Sequence, residues 1–341
     1  MQIDSHRVAD ASFSRERRRF LRSGAALGAA AAASPMLARA QQNAPVKLIM
    51  ATAPGGGGDA LFRVMEDKLR QAVGAPVIID YKPGGGGAPG HLEVARGPKD
   101  GSMLGYAFSG PMSTIPQLRK NVGYDPLKDF EPVSLVMRAP AVVMASMRVP
   151  GDDIGALMAY AKTKPEGINS GTAGVGGVGH LTGVLLGLQG NMKMLHVPYK
   201  GGAPAVQALM AGDLDILVTV VTETVLSLAK AKKIKLIGVA SKEPSPLLPG
   251  VPTVAKFLPG FHSEILHGIV LPAGTPREIV ERYNAAFVQV LNDKDIQAKF
   301  LANNSIASPS TPKQYGEAIA AEYAQWAQVI KRAGITVDQA T

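Results

Sequence analysis

Val46-Lys47-Leu48-Ile49-Met50-Ala51, followed after Thr52-Ala53 by Pro54-Gly55-Gly56-Gly57-Gly58-Asp59, decides how this chain is read. The apolar hexad has the length and composition of a buried strand. Beyond the glycines the period changes: Phe62, Met65, Leu69 and Val73 lie three or four residues apart, as one face of a helix requires, and Gly74 is a stop signal. The order then repeats, with Pro76–Asp80 as a strand, the run Pro83-Gly84-Gly85-Gly86-Gly87, and a short helix around His91–Arg96. An Asp100-Gly101 turn leads into a third strand, Met103–Phe108, which ends at Ser109-Gly110. This βαβαβ pattern puts both glycine runs at the sheet edge where open α/β sheets bind ligands. Glycine lacks Cβ, so its N–H can crowd against a ligand, and amides opening a helix form its positive end. Both runs therefore predict anion-binding turns, with flexible linkers as the plainer alternative. Asp59 stands where an N-cap belongs.

Tyr124-Asp125-Pro126-Leu127-Lys128-Asp129-Phe130 interrupts the alternation, and the apolar stretch Val133–Met147 is long enough to pass from one lobe to another. A second round follows: a helix over Asp152–Lys162, a strand over Ile168–Thr172, and a glycine-rich turn from Gly171 to His180. Leu181, Leu185 and Leu188 mark the next helix, and Lys193–Val197 the next strand, before Pro198-Tyr199-Lys200-Gly201-Gly202 and a helix over Ala203–Met210. Leu214–Val220 and Ile234–Ala240 supply further strands. In each half the two glycine turns are about thirty residues apart, the length of one βαβ unit. Gly268–Leu271 predicts a strand returning to the first lobe. Thr275-Pro276-Arg277-Glu278 and Thr311-Pro312-Lys313-Gln314 each combine a cap, a proline at the first helical position and a polar partner three residues on. They introduce amphipathic helices over Ile279–Leu291 and Tyr315–Ala333 that close the fold on the first lobe.

The chain has 341 residues and a net charge of +9, with 18% charged and 46% hydrophobic residues, a composition that supports two α/β lobes and excludes disorder. Seven arginines in residues 1–40, set against Asp4, Asp10 and Glu16, leave a mild charge of about +5 on the remainder. That suits anionic small molecules and lacks the basic clusters of a nucleic-acid binder. With 0 cysteines there is no disulfide, thiolate metal site or lipid-modified cysteine, so a lipoprotein is excluded. Arg17-Arg18-Arg19-Phe20-Leu21-Arg22, an alanine-rich run from Gly24 to Leu37 and Ala38-Arg39-Ala40 resemble a twin-arginine export signal, giving a mature chain from near Gln41. The run is too short and too rich in alanine for a comfortable membrane span.

An enzyme reading has one foothold. Gly55-x-Gly57-x-x-Ala60, with Asp80 about twenty residues on, satisfies the dinucleotide fingerprint. Gly85-x-Gly87-x-x-Gly90 and Gly174-x-Gly176-x-x-Gly179 satisfy the glycine spacing too, so among 38 glycines the pattern is cheap, and no acid, base and electrophile gather near any of them. His6, His91, His180, His196, His262 and His267 have no paired metal-ligand spacing. His180, directly after a glycine turn, fits a pocket hydrogen bond or a structural role; Tyr199 fits a cleft wall or packing between lobes. Nothing assigns Ser109 or Ser170 a base, and each is read as a hydroxyl donor at a strand end. Trp326 is read as core.

Several motifs in order, Pro54-Gly55-Gly56 to Asp59, Lys82-Pro83-Gly84-Gly85-Gly86-Gly87, Ser109-Gly110, Tyr124-Asp125-Pro126, Gly171-x-x-Gly174, His180-Leu181, Val197-Pro198-Tyr199-Lys200-Gly201 and Leu271-Pro272-Ala273-Gly274-Thr275-Pro276, resemble the Bug family across nearly all of residues 45–335. These are extracytoplasmic solute-binding proteins of tripartite tricarboxylate transporters. The resemblance implies a Venus-flytrap fold of two α/β lobes, no catalysis and no cofactor. Its boundaries are a signal over 1–40, a first lobe over 41–141 and 266–341, and a second over 142–265. It further implies a periplasmic monomer that captures a small carboxylate and meets the membrane subunits of the transporter. A ligand-sensing partner of a membrane receptor on the same fold is the alternative. The family pattern places the ligand on Gly55, Gly56, Gly57, Gly58, Asp59, Gly84, Gly85, Gly86 and Gly87, with Ser109, Thr172, Ala173 and Gly174 completing the pocket, to which the residue reading adds His180 and Tyr199. Thr52, Gly58, Ala88 and Leu266 depart from that pattern by removing side-chain donors and an aromatic wall, which predicts a wider or more apolar pocket.

Overall fold

The chain alternates strand and helix as the sequence predicts, and a computed structural model describes residues 44–55, 57–119, 121–199 and 201–335. The export segment, Gly56 and Lys200 lie outside the described residues. Strand β1 (Val46–Met50) pairs in parallel with β2 (Val77–Tyr81) and with β3 (Met103–Phe108). Next to β3 runs the antiparallel β9 (Glu264–Pro272), and next to β9 the antiparallel β4 (Phe130–Ser146). Beyond β4 come β7 (Ile216–Val220), β5 (Ile168–Thr172) and β6 (Met194–Pro198), giving the order β2-β1-β3-β9-β4-β7-β5-β6. Two further strands, β8 (Ile234–Val239) and β10 (Ile306–Ala307), also pair with β4.

The long strand β4 joins the two lobes. Phe130–Pro140 pairs with β9, and Ala141–Ser146 pairs with β7 and β8. Pro140 has no N–H to donate, and it stands where the ladder with β9 ends and the other sheet takes over. The register shifts at Pro132/Ser134, again beside a proline, at Leu135/Met137, and inside the second sheet at Val143/Met144, each shift bending the strand.

Helix α1 (Gly57–Val73) buries Phe62, Met65 and Leu69 of the predicted face together with Leu61, while Val73 is half-buried. It is followed by α2 (Ala88–Ala95), the four-residue α3 (Ile115–Leu118), α4 (Ile154–Lys162), α5 (Val178–Gly190) and α6 (Gly202–Ala211). Three helices escape the sequence reading: the one-turn α3, α7 (Glu223–Lys230), capped by Thr222, and α9 (Lys294–Ala302), capped by Asp293. The last two are short, so only two turns of periodicity mark them, although each cap residue is visible in the sequence.

The two expected capping boxes part company. Thr311 accepts from Gln314 N at 3.2 Å and its own N–H donates to Gln314 Oε1 at 3.0 Å, opening α10 (Pro312–Ala333). Thr275 instead donates its hydroxyl to Pro272 O at 2.7 Å, and α8 (Arg277–Leu291) begins after Pro276 without a side-chain cap. Helix α10 returns to the first lobe, where Tyr315 and Ile319 pack with Ile49, Ala107 and Val270. It also reaches further than predicted: Trp326, Val329 and Ile330 join the second-lobe cluster of Leu181, Leu185 and Val218.

Candidate functional site

A cavity of about 360 Å3 opens between the lobes, at the ends of β3, β5 and β7. From the first lobe it is lined by Gly86, Phe108, Gly110, Thr114 and Ile115, and from the second by Thr172–Gly177, Gly179, His180 and Val218–Val220, with Ala141 and Ile265 at the strands that cross. No lysine or arginine lines it among the described residues. A larger cavity of about 500 Å3 runs along α10, beside Arg138, Glu264 and Glu322. Burial pushes the Glu322 carboxyl up to about 7, against hydrogen bonds from Ser109, Trp326 and Ser113 and the charge of Arg138. That cavity holds none of the residues predicted to bind ligand and no glycine turn, so the site is assigned to the cleft.

The first glycine turn stabilises its own lobe. Asp59 sits in the third position of α1 rather than at its N-cap, because the helix already starts at Gly57. Its carboxylate looks back, accepting Gly55 N–H at 2.7 Å and the Tyr81 hydroxyl at 2.6 Å, with Arg63 Nε at 3.4 Å. Burial raises its pKa, but Tyr81, the Gly55 amide and Arg63 outweigh burial and hold it below the usual range. The Gly55 amide is thus spent on Asp59, and an approaching anion would meet a carboxylate. Gly58 is explained by packing: a Cβ there would lie 2.7 Å from Tyr106 Cε1, and Tyr106 shares a 2.9 Å hydrogen bond with His267 Nδ1. The serine or threonine expected there has no room. Asp80, the residue of the dinucleotide reading, pairs with Lys47 at 3.4 Å and Lys82 at 3.3 Å.

The second turn is built from four successive glycines in the left-handed region, Gly84 to Gly87, with φ of 104°, 57°, 67° and 89°. Gly84, Gly85 and Gly86 are exposed and Gly87 is buried, with side chains packed close on one side. A Cβ on Gly86 would lie 2.8 Å from Ile115 Cδ1, and one on Gly87 2.8 Å from Phe108 Cζ. Of this turn only Gly86 lines the cavity. Beneath it His91, fully buried, bonds Gly87 O at 2.9 Å through Nδ1. Since a carbonyl only accepts, His91 carries its proton on Nδ1, and its Nε2 lone pair is buried without a partner. Burial lowers its pKa to about 4, against the bond to Gly87.

The second-lobe turn is arranged the other way. Thr172 Oγ1 donates to Gly174 O at 2.9 Å and accepts Gly174 N–H at 3.3 Å, closing the turn. His180 Nδ1 accepts Gly176 N–H at 3.1 Å, so its neutral ring carries the proton on Nε2. Burial and the neighbouring His196, 4.9 Å away edge to face, lower its pKa to about 4 and keep it neutral. The N–H groups of Ala173, Val175 and Gly177 find no acceptor among the described residues. Gly177 leaves α5 without a side-chain cap, so the positive end of that helix faces the cavity.

Of the residues predicted to bind ligand, the cavity thus gathers Gly86, Thr172, Ala173, Gly174 and His180. Gly55, Gly58, Asp59, Gly84, Gly85 and Gly87 stand back from it, Gly57 opens α1, and Gly56 is outside the described residues. Ser109 is buried beneath the wall, accepting Leu266 N–H at 2.9 Å, so its hydroxyl does not complete the pocket. Tyr199 packs against the second-lobe core of Ala205, Leu217 and Val221 instead of walling the cleft. Sequence reasoning missed Phe108, Ile115, Thr219 and Ile265. Phe108 and Thr219 could have been found at or near the C-terminal ends of predicted strands.

A family model for the tripartite tricarboxylate transporter family receptor matches residues 61–335. The chain belongs to this receptor family. Among solved structures it is similar to the periplasmic binding protein BugD, at 31% identity and a TM-score of 0.69, over 86% of this chain and 98% of that one. The R. palustris protein Rpa4515, solved with adipate, is 28% identical with a TM-score of 0.72 over 86% and 98% of the two chains. MatC from Rhodopseudomonas palustris, solved with bound malate, is 27% identical with a TM-score of 0.68 over 84% and 98%. The receptor family thus confirms the two-lobed binding-protein fold and overrides the dinucleotide fingerprint: this is a solute-binding receptor, not an enzyme. Binding proteins of the family are periplasmic. No helix among the described residues is long and apolar enough to cross a membrane.

Proposed function

We propose that this receptor captures a small organic carboxylate in the cleft and delivers it to the membrane subunits of a tripartite carrier. It reaches the periplasm through the twin-arginine-type signal of residues 15–40 and works there as a monomer. Residues 41–141 with 266–341 form one jaw and residues 142–265 the other. The observation that carries this reading is the turn Thr172–Gly177, with amides unpaired among the described residues and the uncapped start of α5 at a cavity that no described lysine or arginine lines. Amides fixed on a rigid strand–turn–helix unit hold an anion with little loss of conformational freedom. His180 adds a neutral Nε2–H beside them. The adipate and malate held by the two R. palustris relatives make a carboxylate the natural ligand class.

Closure follows from differential affinity. A ligand held at Thr172–Gly177 gains contacts with Phe108 and Ile115 only when the lobes approach, and that difference drives the closed state. Titration calorimetry with a panel of carboxylates is expected to give binding at micromolar levels or tighter. Absence of heat with every acid, or capture of none of the carrier's membrane subunits on the immobilised ligand-loaded protein, would refute the corresponding half of the proposal.

A further inference from the structure

We infer that the cavity along α10 is a second ligand site, built for a zwitterion that carries an ammonium and a carboxylate on one short chain. At about 500 Å3 it is larger than the cleft cavity and lies within the range of small-molecule sites. The crossing strands separate the two. Along β9, Ile265 lines the cleft while its neighbours Glu264 and Leu266 line this cavity, as alternation in a strand requires. Arg138 of β4, the second-lobe residues Lys242 and His262, and Ser308 and Glu322 of the returning segment complete the wall, so both lobes contribute to it.

Several polar groups of the wall are already used. The Ser308 and Ser310 hydroxyls donate to Ile306 O and Thr311 O at 3.0 and 3.1 Å, and the Gln325 amide donates to His262 O at 2.8 Å. Arg138 pairs with Glu264 at 3.5 Å and Glu317 with Lys313 at 3.7 Å, which leaves Lys242 and Glu322 without an ion-pair partner among the described residues. Glu322 is the costly one. It is 8% exposed, and its Oε1 receives a long 3.4 Å bond from Trp326 Nε1–H. Burial raises this carboxyl to about 7, and an ammonium group entering the cavity would supply the partner it lacks. Lys242 stands elsewhere on the wall. With Arg138 and Glu264 it also lines an adjoining cavity of about 270 Å3 that no described residue of α10 borders, so Lys242 and Glu322 belong to different sides of the site. A simple anion would meet Glu322 and Glu264, and a simple amine would meet Lys242 and Arg138. A molecule bearing both charges matches both sides. The cleft differs in kind, since no described lysine, arginine, aspartate or glutamate lines it.

The test is calorimetry on the purified protein with 4-aminobutyrate and 6-aminohexanoate, set against butylamine, hexylamine and malate at matched ionic strength. At least one zwitterion is expected to bind tenfold or more tighter than the amine of its own length. Lys242→Gln, at an exposed position, is expected to weaken that zwitterion about tenfold while malate binding stays as it was. Glu322→Gln should weaken it by a similar factor; should that variant fail to fold, Lys242→Gln decides alone. Absence of binding by both zwitterions would overturn the inference and leave the carboxylate reading of the cleft standing. A zwitterion that binds Lys242→Gln as tightly as the parent would overturn it too, by placing that ligand outside this cavity.

Discussion

The turns Gly84–Gly87 and Thr172–Gly177 look alike in sequence and are used in opposite ways. Each follows a parallel strand, precedes a helix and is braced by a histidine bonded four residues back along the chain, His91 to Gly87 and His180 to Gly176. His91 donates to a carbonyl and must be protonated on Nδ1; His180 accepts an amide and must be protonated on Nε2. The first arrangement buries its spare nitrogen among Phe108, Tyr124 and Phe130, while the second belongs to a ring that lines the cavity. One turn has Phe108 and Ile115 packed beside Gly87 and Gly86 and presents only Gly86 to the cavity; the other lines it from Thr172 to Gly177. Glycine composition alone therefore says where the backbone can bend or be approached, and the neighbouring side chains decide whether anything approaches.

The largest effect that would test this contrast is acid unfolding. His91, His180 and His267 are all depressed to about 4 in the folded protein, chiefly by burial. Their unfolded counterparts take up protons below about pH 6.5, so the stability they confer is complete above that pH and is lost as pH falls toward 4, by up to about 3 kcal/mol each. Glu322, pushed up to about 7, works in the opposite sense, favouring the folded state as pH falls from 7 toward 4.5. Urea titrations at pH 7 and pH 5 are expected to show a net loss at pH 5, smaller in His91→Phe than in the parent when each is referred to its own pH 7 value. An equal loss in both would remove His91 from the account.

Gly87→Ala comes next. With φ of 89° and Phe108 Cζ 2.8 Å from any added Cβ, it is expected to lose roughly 2–4 kcal/mol in urea unfolding. Asp59→Asn should cost about 1–2 kcal/mol through the weakened bonds to Gly55 and Arg63, with carboxylate affinity unchanged. A tenfold loss of affinity in that variant would return the first glycine turn to the binding site. Smallest in stability is Gly174→Ala. Its Cβ meets open space, so unfolding should move by less than about 0.5 kcal/mol while affinity falls severalfold. A large destabilisation there would erase the difference between the turns.

Most strands were legible because their signal is local. Met103–Phe108 and Ile168–Thr172 appear at the predicted bounds, since a short apolar or β-rich run between turn residues can be read without its neighbours. The capping box at Thr311 was legible for the same reason, and its counterpart at Thr275 was not, because Pro272 offers a nearer acceptor. At the site, His180 and Thr172–Gly174 could be anticipated from their place after a strand. Phe108, Ile115 and Ile265 were silent because nothing in the chain announces which apolar side chain comes to rest over a glycine. Ser109 was misplaced for the converse reason: its partner, Leu266, is 157 residues away.

By itself, then, the sequence determined the two rounds of strand, glycine turn and helix, the family that such an order of motifs belongs to, and the absence of cysteine chemistry. These rest on local periodicity, on backbone freedom at glycine and on composition. Tertiary structure alone decided which glycines reach the cavity, because that depends on side chains brought from distant segments: Asp59 turned back on Gly55, Tyr106 filling the space beside Gly58, and Phe108 packed against Gly87 while Gly86 beside Ile115 stays at the cavity.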